Sequence, residues 1–313
     1  MPLEFEKEIV GLEDQIAQME RKGPADKAGA SRLSALRRER DARIGEIYAN
    51  LTPWQTVQVA RHEDRPLLRD YIETVFEDFV ELHGDRRFGD DRAMIGGFAR
   101  LENHRIMLIG HQKGRSVEEN VEFNFGMARP EGYRKALRLM KLAEKWGLPV
   151  VCLIDTPGAH PGIEAETRGQ AEAIALNLTE MPVLETPIIT VVTGEGGSGG
   201  ALGIGVGDVN LMLAYSVYSV ISPEGCASIL WRNAEKSPEA AEALKLTANA
   251  LLEMGVIDGV VTEPAGGAHR HRDEVMGNVK AELLNQLPRL KKISPKRLVK
   301  RRMEKYAKIG KFS

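Results

Sequence analysis

Phe5, Ile9, Leu12, Ile16 and Met19 recur at alternating four- and three-residue steps, which lines them along one stripe of a helix. Such a stripe has to pack against something. The pattern breaks across Gly23 to Ser31 and resumes at Leu33, Leu36, Ile44 and Ile47 with charged residues between, so residues 3 to 50 read as a helical hairpin. Residues 1–60 are assigned to this N-terminal unit, with subunit contact rather than chemistry as its role. After Pro66, LLRDYIETVFEDFVELHG keeps helical spacing and predicts one helix that ends at Gly84.

The texture then changes. Short unbroken apolar runs, IMLI (Ile106 to Ile109), VVCLI (Val150 to Ile154) and IITVV (Ile188 to Val192), alternate with amphipathic stretches such as PEGYRKALRLMKLAEKWG. Apolar strands between such helices predict a mostly parallel sheet covered on both faces, an α/β domain over residues 61–288. Two of the runs end in glycine-rich bends that feed helices: VVCLIDTPGAHPG before EAETRGQAEAIALNL, and IITVVTGEGGSGG before ALGIGVG.

Composition narrows the class. A chain of 313 residues, 42% hydrophobic and 5% aromatic, buries a sizeable core. No run of about 18 uncharged apolar residues occurs, and the first ten residues are acidic rather than basic and then greasy, which predicts a cytosol-like compartment without membrane insertion. Cys152 and Cys226 are the only cysteines, so neither a disulfide framework nor a Cys-ligated zinc site can be assembled here. The formal charge of −2 conceals an asymmetry, because Arg289 to Lys311 hold eleven Lys/Arg against one Glu. Residues 289–313 are therefore read as a basic tail, a solvated or interface helix. Its cations also raise a nucleic-acid reading, to which the single aromatic of the cluster, Tyr306, lends little stacking support.

The glycine bends admit four readings. GEGGSG (Gly194 to Gly199) fits the dinucleotide pattern, but the region where a ribose-binding carboxylate should stand reads LMLAYSVY. LIDTPG resembles a nucleotide-triphosphatase turn, yet no G-x-x-x-x-G-K-[ST] accompanies it. GGSGG also satisfies G-x-S-x-G, with Asp258 and His269 following in hydrolase order, which makes a serine hydrolase built on Ser198 the alternative function. In the fourth reading the glycines are themselves the functional groups. They let backbone N–H donors at helix N-termini approach a ligand and stabilise an oxyanion, each donor supplying about 2.7 to 4 kcal/mol in a transition state. Tight turns alone would also account for them.

Around these bends the sequence resembles the α-subunit family of bacterial acetyl-CoA carboxylase carboxyltransferases. HGDR (His83 to Arg86), GHQKGR (Gly110 to Arg115), NFGMARPEGYRKALRLM, IDTPGAHPG, AETRGQAEAIA, GEGGSGGALGIGVGD and YSVISPEGCASILW all look like that family, in its order. The resemblance implies a crotonase-like spiral of ββα units. It implies carboxyl transfer from carboxybiotin, borne by a biotin carboxyl carrier protein, to acetyl-CoA, giving malonyl-CoA for fatty acid synthesis. The partners implied are a zinc-bearing β subunit in an α2β2 heterotetramer and, in the wider complex, biotin carboxylase. By similarity, Gly199, Gly200 and Ala201, with Gly158 and Ala159, are the backbone oxyanion donors, while Gly196, Gly197 and Ser198 flank the bound biotin group. Lys113, Arg115, Arg129 and Arg134, with Lys135, are candidates for coenzyme A phosphates or the carrier, ion pairing being the competing role for each. Glu195 and Glu224 are assigned to capping or support rather than chemistry.

Overall fold

The computed structural model describes residues 3–23 and 27–310. Eight strands among them form one sheet. β1 (Glu77–Glu81) and β2 (Met94–Leu101) pair antiparallel, as do β2 and β3 (His104–His111). From β3 the sheet is parallel through β4 (Val150–Thr156), β5 (Ile188–Gly197), β6 (Val209–Leu213) and β8 (Gly259–Val261). β7 (Val217–Ser219) runs parallel to the end of β5. All three predicted apolar runs lie in strands, and β4 is buried along its whole length.

Strand alternation sorts these residues into two cores. Cys152 and Ile154 face Tyr133, Leu139 and Met140 of the helix Pro130–Lys145, whereas Val151 and Leu153 join Val275, Val279 and Leu283 of the helix Arg272–Lys291. Helices therefore cover both faces, which a parallel sheet requires. Cys152 and Cys226 are buried and unpaired. No helix among the described residues is long and apolar enough to cross a membrane.

The hairpin is present as helices Lys7–Lys22 and Lys27–Tyr48, the second beginning before the expected resumption; residues 24–26 lie outside the described residues. Ile9, Ile44 and Tyr48 pack on Val59 of the next helix, Pro53–Ala60, whose Val57 and Ala60 pack in turn against Val217, Ala241 and Leu246 of the body.

One expectation is corrected and another narrowed. The predicted helix to Gly84 stops at Val75, and Glu77–Glu81 is a strand. Over so short a stretch apolar spacing serves either element, and cross-strand ion pairs from Arg100 to Glu77 and Asp78 favour the sheet edge. The basic tail, read as a solvated or interface helix, is solvated on one side only and docks its other side on the body. Its helix Pro295–Ala307 buries Leu298 and Arg302 and docks Tyr306, three positions at four-residue spacing. Arg302 is 1% exposed: it forks onto Asp208 at 3.0 and 2.7 Å and donates to the carbonyls of Met181, Leu184 and Thr186. The Tyr306 hydroxyl accepts from Gly207 N–H and Asn210 Nδ2 and donates to Gly205 O, so the one aromatic offered for stacking on nucleic acid is consumed in the fold. Lys311 and the two residues after it lie outside the described residues.

Candidate functional site

Ligands of open parallel sheets gather beyond the carboxyl ends of the strands, and both glycine bends emerge there, side by side, from β4 and β5. Register explains their shape. Ile154 pairs with Val192, but Thr156 pairs with Gly196, so two steps along β4 match four along β5 and the latter bulges through Thr193, Gly194 and Glu195. Asp155 fills the offset. Its Oδ1 accepts the Glu195 N–H at 2.9 Å, and a Cβ on Gly194 would fall 2.5 Å from that same oxygen. Past the bulge, β5 exchanges β6 for β7 as its neighbour.

The bends then touch backbone to backbone. A Cβ on Gly197 would lie 2.1 Å from the Pro157 carbonyl oxygen, and one on Gly200 would lie 2.4 Å from the Gly158 carbonyl carbon and 2.5 Å from the Ala159 nitrogen. Only glycine fits either position. Ser198, between them, has φ of 52° and turns the chain sharply into the helix Ser198–Leu202. The leading N–H groups of that helix have no intrahelical acceptor. On the facing bend, Gly158 N–H is spent on Thr156 Oγ1 at 3.1 Å, which corrects its expected role as a donor; Ala159 N–H has no acceptor among the described residues. A cavity of about 480 Å³ opens beside Ser198 and Leu202, with Tyr218, Ser219, Val256 and Tyr306 among its walls.

Beneath the bends two cations meet three carboxylates. Lys113 Nζ bridges Asp155 Oδ1 (2.6 Å) and Glu195 Oε2 (3.1 Å), while Arg61 joins Glu195 (2.5 Å) to Glu224 (2.5 Å). Burial favours the neutral form of Glu195, but Lys113 and Arg61 outweigh it and hold its carboxyl below the usual range. Burial likewise opposes the charge on Lys113, and its two carboxylates raise its pKa overall. With both cations matched by acceptors of this chain, positive potential at the bends comes from amides. His111 is buried close by near Gly200, and burial pushes its pKa down to about 3, so it is neutral.

The candidate residues separate accordingly. Gly158, Ala159 and the run from Gly196 to Ala201 converge. Lys113 joins them as an ion-pair residue beneath the turn. Arg134 is held by Asp85 (2.7 Å) and the Arg168 carbonyl, Lys135 by Asp90 and the Asp91 carbonyl, and Arg115 by Asp70 (2.5 Å), so intrachain pairing occupies all three. Arg129 differs, its guanidinium having no ion pair among the described residues. Glu195 supports the turn, as expected. Arg61 went unmarked in the sequence because its partner Glu195 is 134 residues away.

No hydrolase triad forms. Asp258 accepts from Asn210 N–H (2.6 Å) and Lys305 (2.5 Å), and His269 stacks on His62 beside Glu6. The positive φ of Ser198 resembles a nucleophile elbow, but here it serves the approach of two backbones.

Residues 2–310 match the family described as acetyl co-enzyme A carboxylase carboxyltransferase-like. A relative from Rhodopirellula baltica, an acetyl-coenzyme A carboxylase carboxyl transferase subunit alpha, is 54% identical over 310 residues, covering 99% of this chain and 97% of its own. One of the same name from Thermus thermophilus is 51% identical over 314 residues, covering 100% and 99%. Among solved structures, transcarboxylase 12S with methylmalonyl-coenzyme A bound aligns at TM-score 0.55 and 20% identity over 72% of this chain and 44% of its own. A Pseudomonas malonate decarboxylase hetero-tetramer in complex with coenzyme A aligns at TM-score 0.56 and 14% identity over 71% and 89%. The present chain thus spans less than half of the transcarboxylase chain. At these identities the structures speak to the fold, which is the crotonase-like α/β architecture anticipated from the sequence.

Proposed function

The chain belongs to the α-subunit family of acetyl-CoA carboxylase carboxyltransferases, and from that premise we propose that its paired glycine bends form the donor wall of a transferase site completed by a β subunit. The observation that carries this reading is the direct contact of Gly197 and Gly200 with the Pro157 to Ala159 backbone, an approach no other residue type permits. With the two backbones in contact and no side chain between them, a flat ureido ring at the edge of this seam would meet main-chain donors.

Carboxybiotin on a carrier protein would supply the carboxyl group for acetyl-CoA. This chain's part is to donate hydrogen bonds and exclude water. Gly199, Gly200 and Ala201 at the helix start, with Ala159 opposite, are the donors assigned to developing negative charge on the biotin side. Gly196, Gly197 and Ser198 shape the rim, and Arg129 is the basic residue still free to meet an anion of coenzyme A or of the carrier. Glu195 and Lys113 stay locked in the cluster below, so no side chain of this subunit is assigned a proton-transfer step. The remaining parts of the reading are a β subunit carrying zinc and most of the thioester pocket, an α2β2 assembly, biotin carboxylase in the wider complex, and a cytoplasmic setting.

The test is co-purification with a β subunit followed by a malonyl-CoA and biocytin exchange assay. Transfer is expected from the mixture alone. Robust transfer by the isolated chain would contradict the shared site.

A further inference from the structure

Five consecutive residues, Arg61 to Arg65, grip β5 at both ends of its bulge. Arg65 Nη2 donates to the Thr193 carbonyl at 2.8 Å, and Arg61 Nε donates to the Glu195 carboxylate at 2.5 Å. Between those contacts lies Gly194, where Asp155 fills the register offset. The segment is itself firmly seated. Arg61 N–H closes the helix Pro53–Ala60 on Val57 O, His62 N–H donates to Val59 O, and Arg65 N–H donates to His62 O. Arg65 also forks onto Glu263 at 2.9 and 3.0 Å, and Glu263 accepts the amides of Tyr215 and Ala268. Both members of that pair are buried, so they hold each other at fixed geometry.

His62, near the middle of the segment, is fixed from outside. Its ring stacks on His269 with centroids 4.0 Å apart and planes 19° from parallel. Glu6, at the foot of the N-terminal hairpin, lies 3.4 Å from His269 Nε2 and accepts from the Tyr48 hydroxyl (2.6 Å) and Arg270 Nε (3.3 Å). Potential ligand atoms of Glu6, His62 and His269 lie within 4.8 Å of one another. Imidazole binds a metal in its own ring plane, however, and two stacked rings share no in-plane point, so this group is a mechanical contact rather than a metal centre.

We propose that Arg61 and Arg65 are positioning residues for carboxyl transfer, fixing the β5 bulge so that the amides after Gly197 keep their aim, and that Glu6 of the hairpin secures the segment that carries them. The proposal rests on the reading of the glycine bends as the donor site. It gives the N-terminal hairpin a role inside this subunit, without any contact between hairpin and substrate.

The test uses the full chain in complex with a β subunit and reads kcat, KM and melting temperature in the exchange assay. Arg61→Met is expected to lower kcat by about tenfold to a hundredfold, the scale of a 1 Å misplacement, with KM for the coenzyme A substrate within about twofold. Glu195→Gln should lose a similar amount, and Arg61→Met with Glu195→Gln clearly less than the product of the two single losses, because both changes remove the Arg61–Glu195 contact they share. Arg61→Lys keeps the charge but not the fork and should recover part of the loss. Glu6→Gln should lower kcat severalfold with KM unchanged. Multiplicative losses in the double variant, an unchanged kcat for Arg61→Met, or a raised KM at intact kcat would overturn the proposal. So would a kcat deficit that disappears at temperatures where the variant is fully folded, since that reduces Arg61 to a stability role. An inactive unsubstituted complex would instead sink the function proposed above, whereas an active one with unaffected variants sinks this inference alone.

Discussion

Arg302 and Lys113 are both cations withdrawn from water, one in the C-terminal helix and one just past β3, yet their surroundings are built for different ends. Arg302 is saturated by Asp208 and four backbone carbonyls, none of them in the glycine bends. Lys113 meets two carboxylates, and those carboxylates shape β5: Asp155 takes the Glu195 amide, and Glu195 hands its other oxygen to Arg61. The first cluster ties a helix to the body. The second tunes where a chain of amides points. A buried charge by itself therefore does not mark a functional site; the backbone its partners belong to decides.

The severest way to break this contrast is Gly200→Val, whose side chain would be driven into Gly158 and Ala159. Transfer is expected to fall on the order of a thousandfold or more in the exchange assay, as for loss of an oxyanion donor. Circular dichroism on the same sample checks that the fold survives. Near-normal transfer would detach the bends from the chemistry.

Arg302→Met probes the other side. Removing one partner of a buried pair leaves Asp208 uncompensated and should cost about 3 to 5 kcal/mol of stability, seen in urea denaturation, with transfer per folded molecule close to that of the unsubstituted chain. A selective loss of kcat would erase the distinction drawn here.

Acid sharpens it further. Burial, then the neighbouring His269, pushes His62 down to about 4 from an ordinary 6.5. A group whose pKa is lowered by folding takes up protons more readily when unfolded, so its contact is stable above about pH 6.5 and weakens as the pH falls towards 4. Hydrogen exchange should show the hairpin helices losing protection across that window, and His62→Gln should flatten the change. Unaltered protection of residues 27–48 down to pH 4 would count against the histidine stack as a hairpin anchor.

The smallest effect is expected for Ser198→Ala, which keeps the backbone and should retain transfer within about threefold. Fluorophosphonate labelling of Ser198 together with lost activity would restore the hydrolase reading.

Much of the fold was legible along the chain. Unbroken runs such as VVCLI and IITVV can be buried on both faces only in a covered parallel sheet, and the glycines of GEGGSGG state a backbone requirement directly, since they lack the atom that would obstruct it. The hairpin helices announced themselves by spacing for the same reason: a periodic stripe is a local property.

Other features had no local signal. Residues 77–81 were helical by spacing and became a strand because β2 offered an edge; the tail looked solvated because charge density cannot reveal that Asp208 and four carbonyls wait for Arg302. Arg61 and Arg65 are ordinary arginines until folding brings β5 to them from more than 120 residues away. Apart from residues 77–81, sequence by itself determined which of the segments read above are strand, helix and glycine bend, because those follow from side-chain pattern and steric freedom within a few residues. Tertiary structure alone decided which charges are matched and where the amides face, because these depend on register and on partners brought together by the whole sheet.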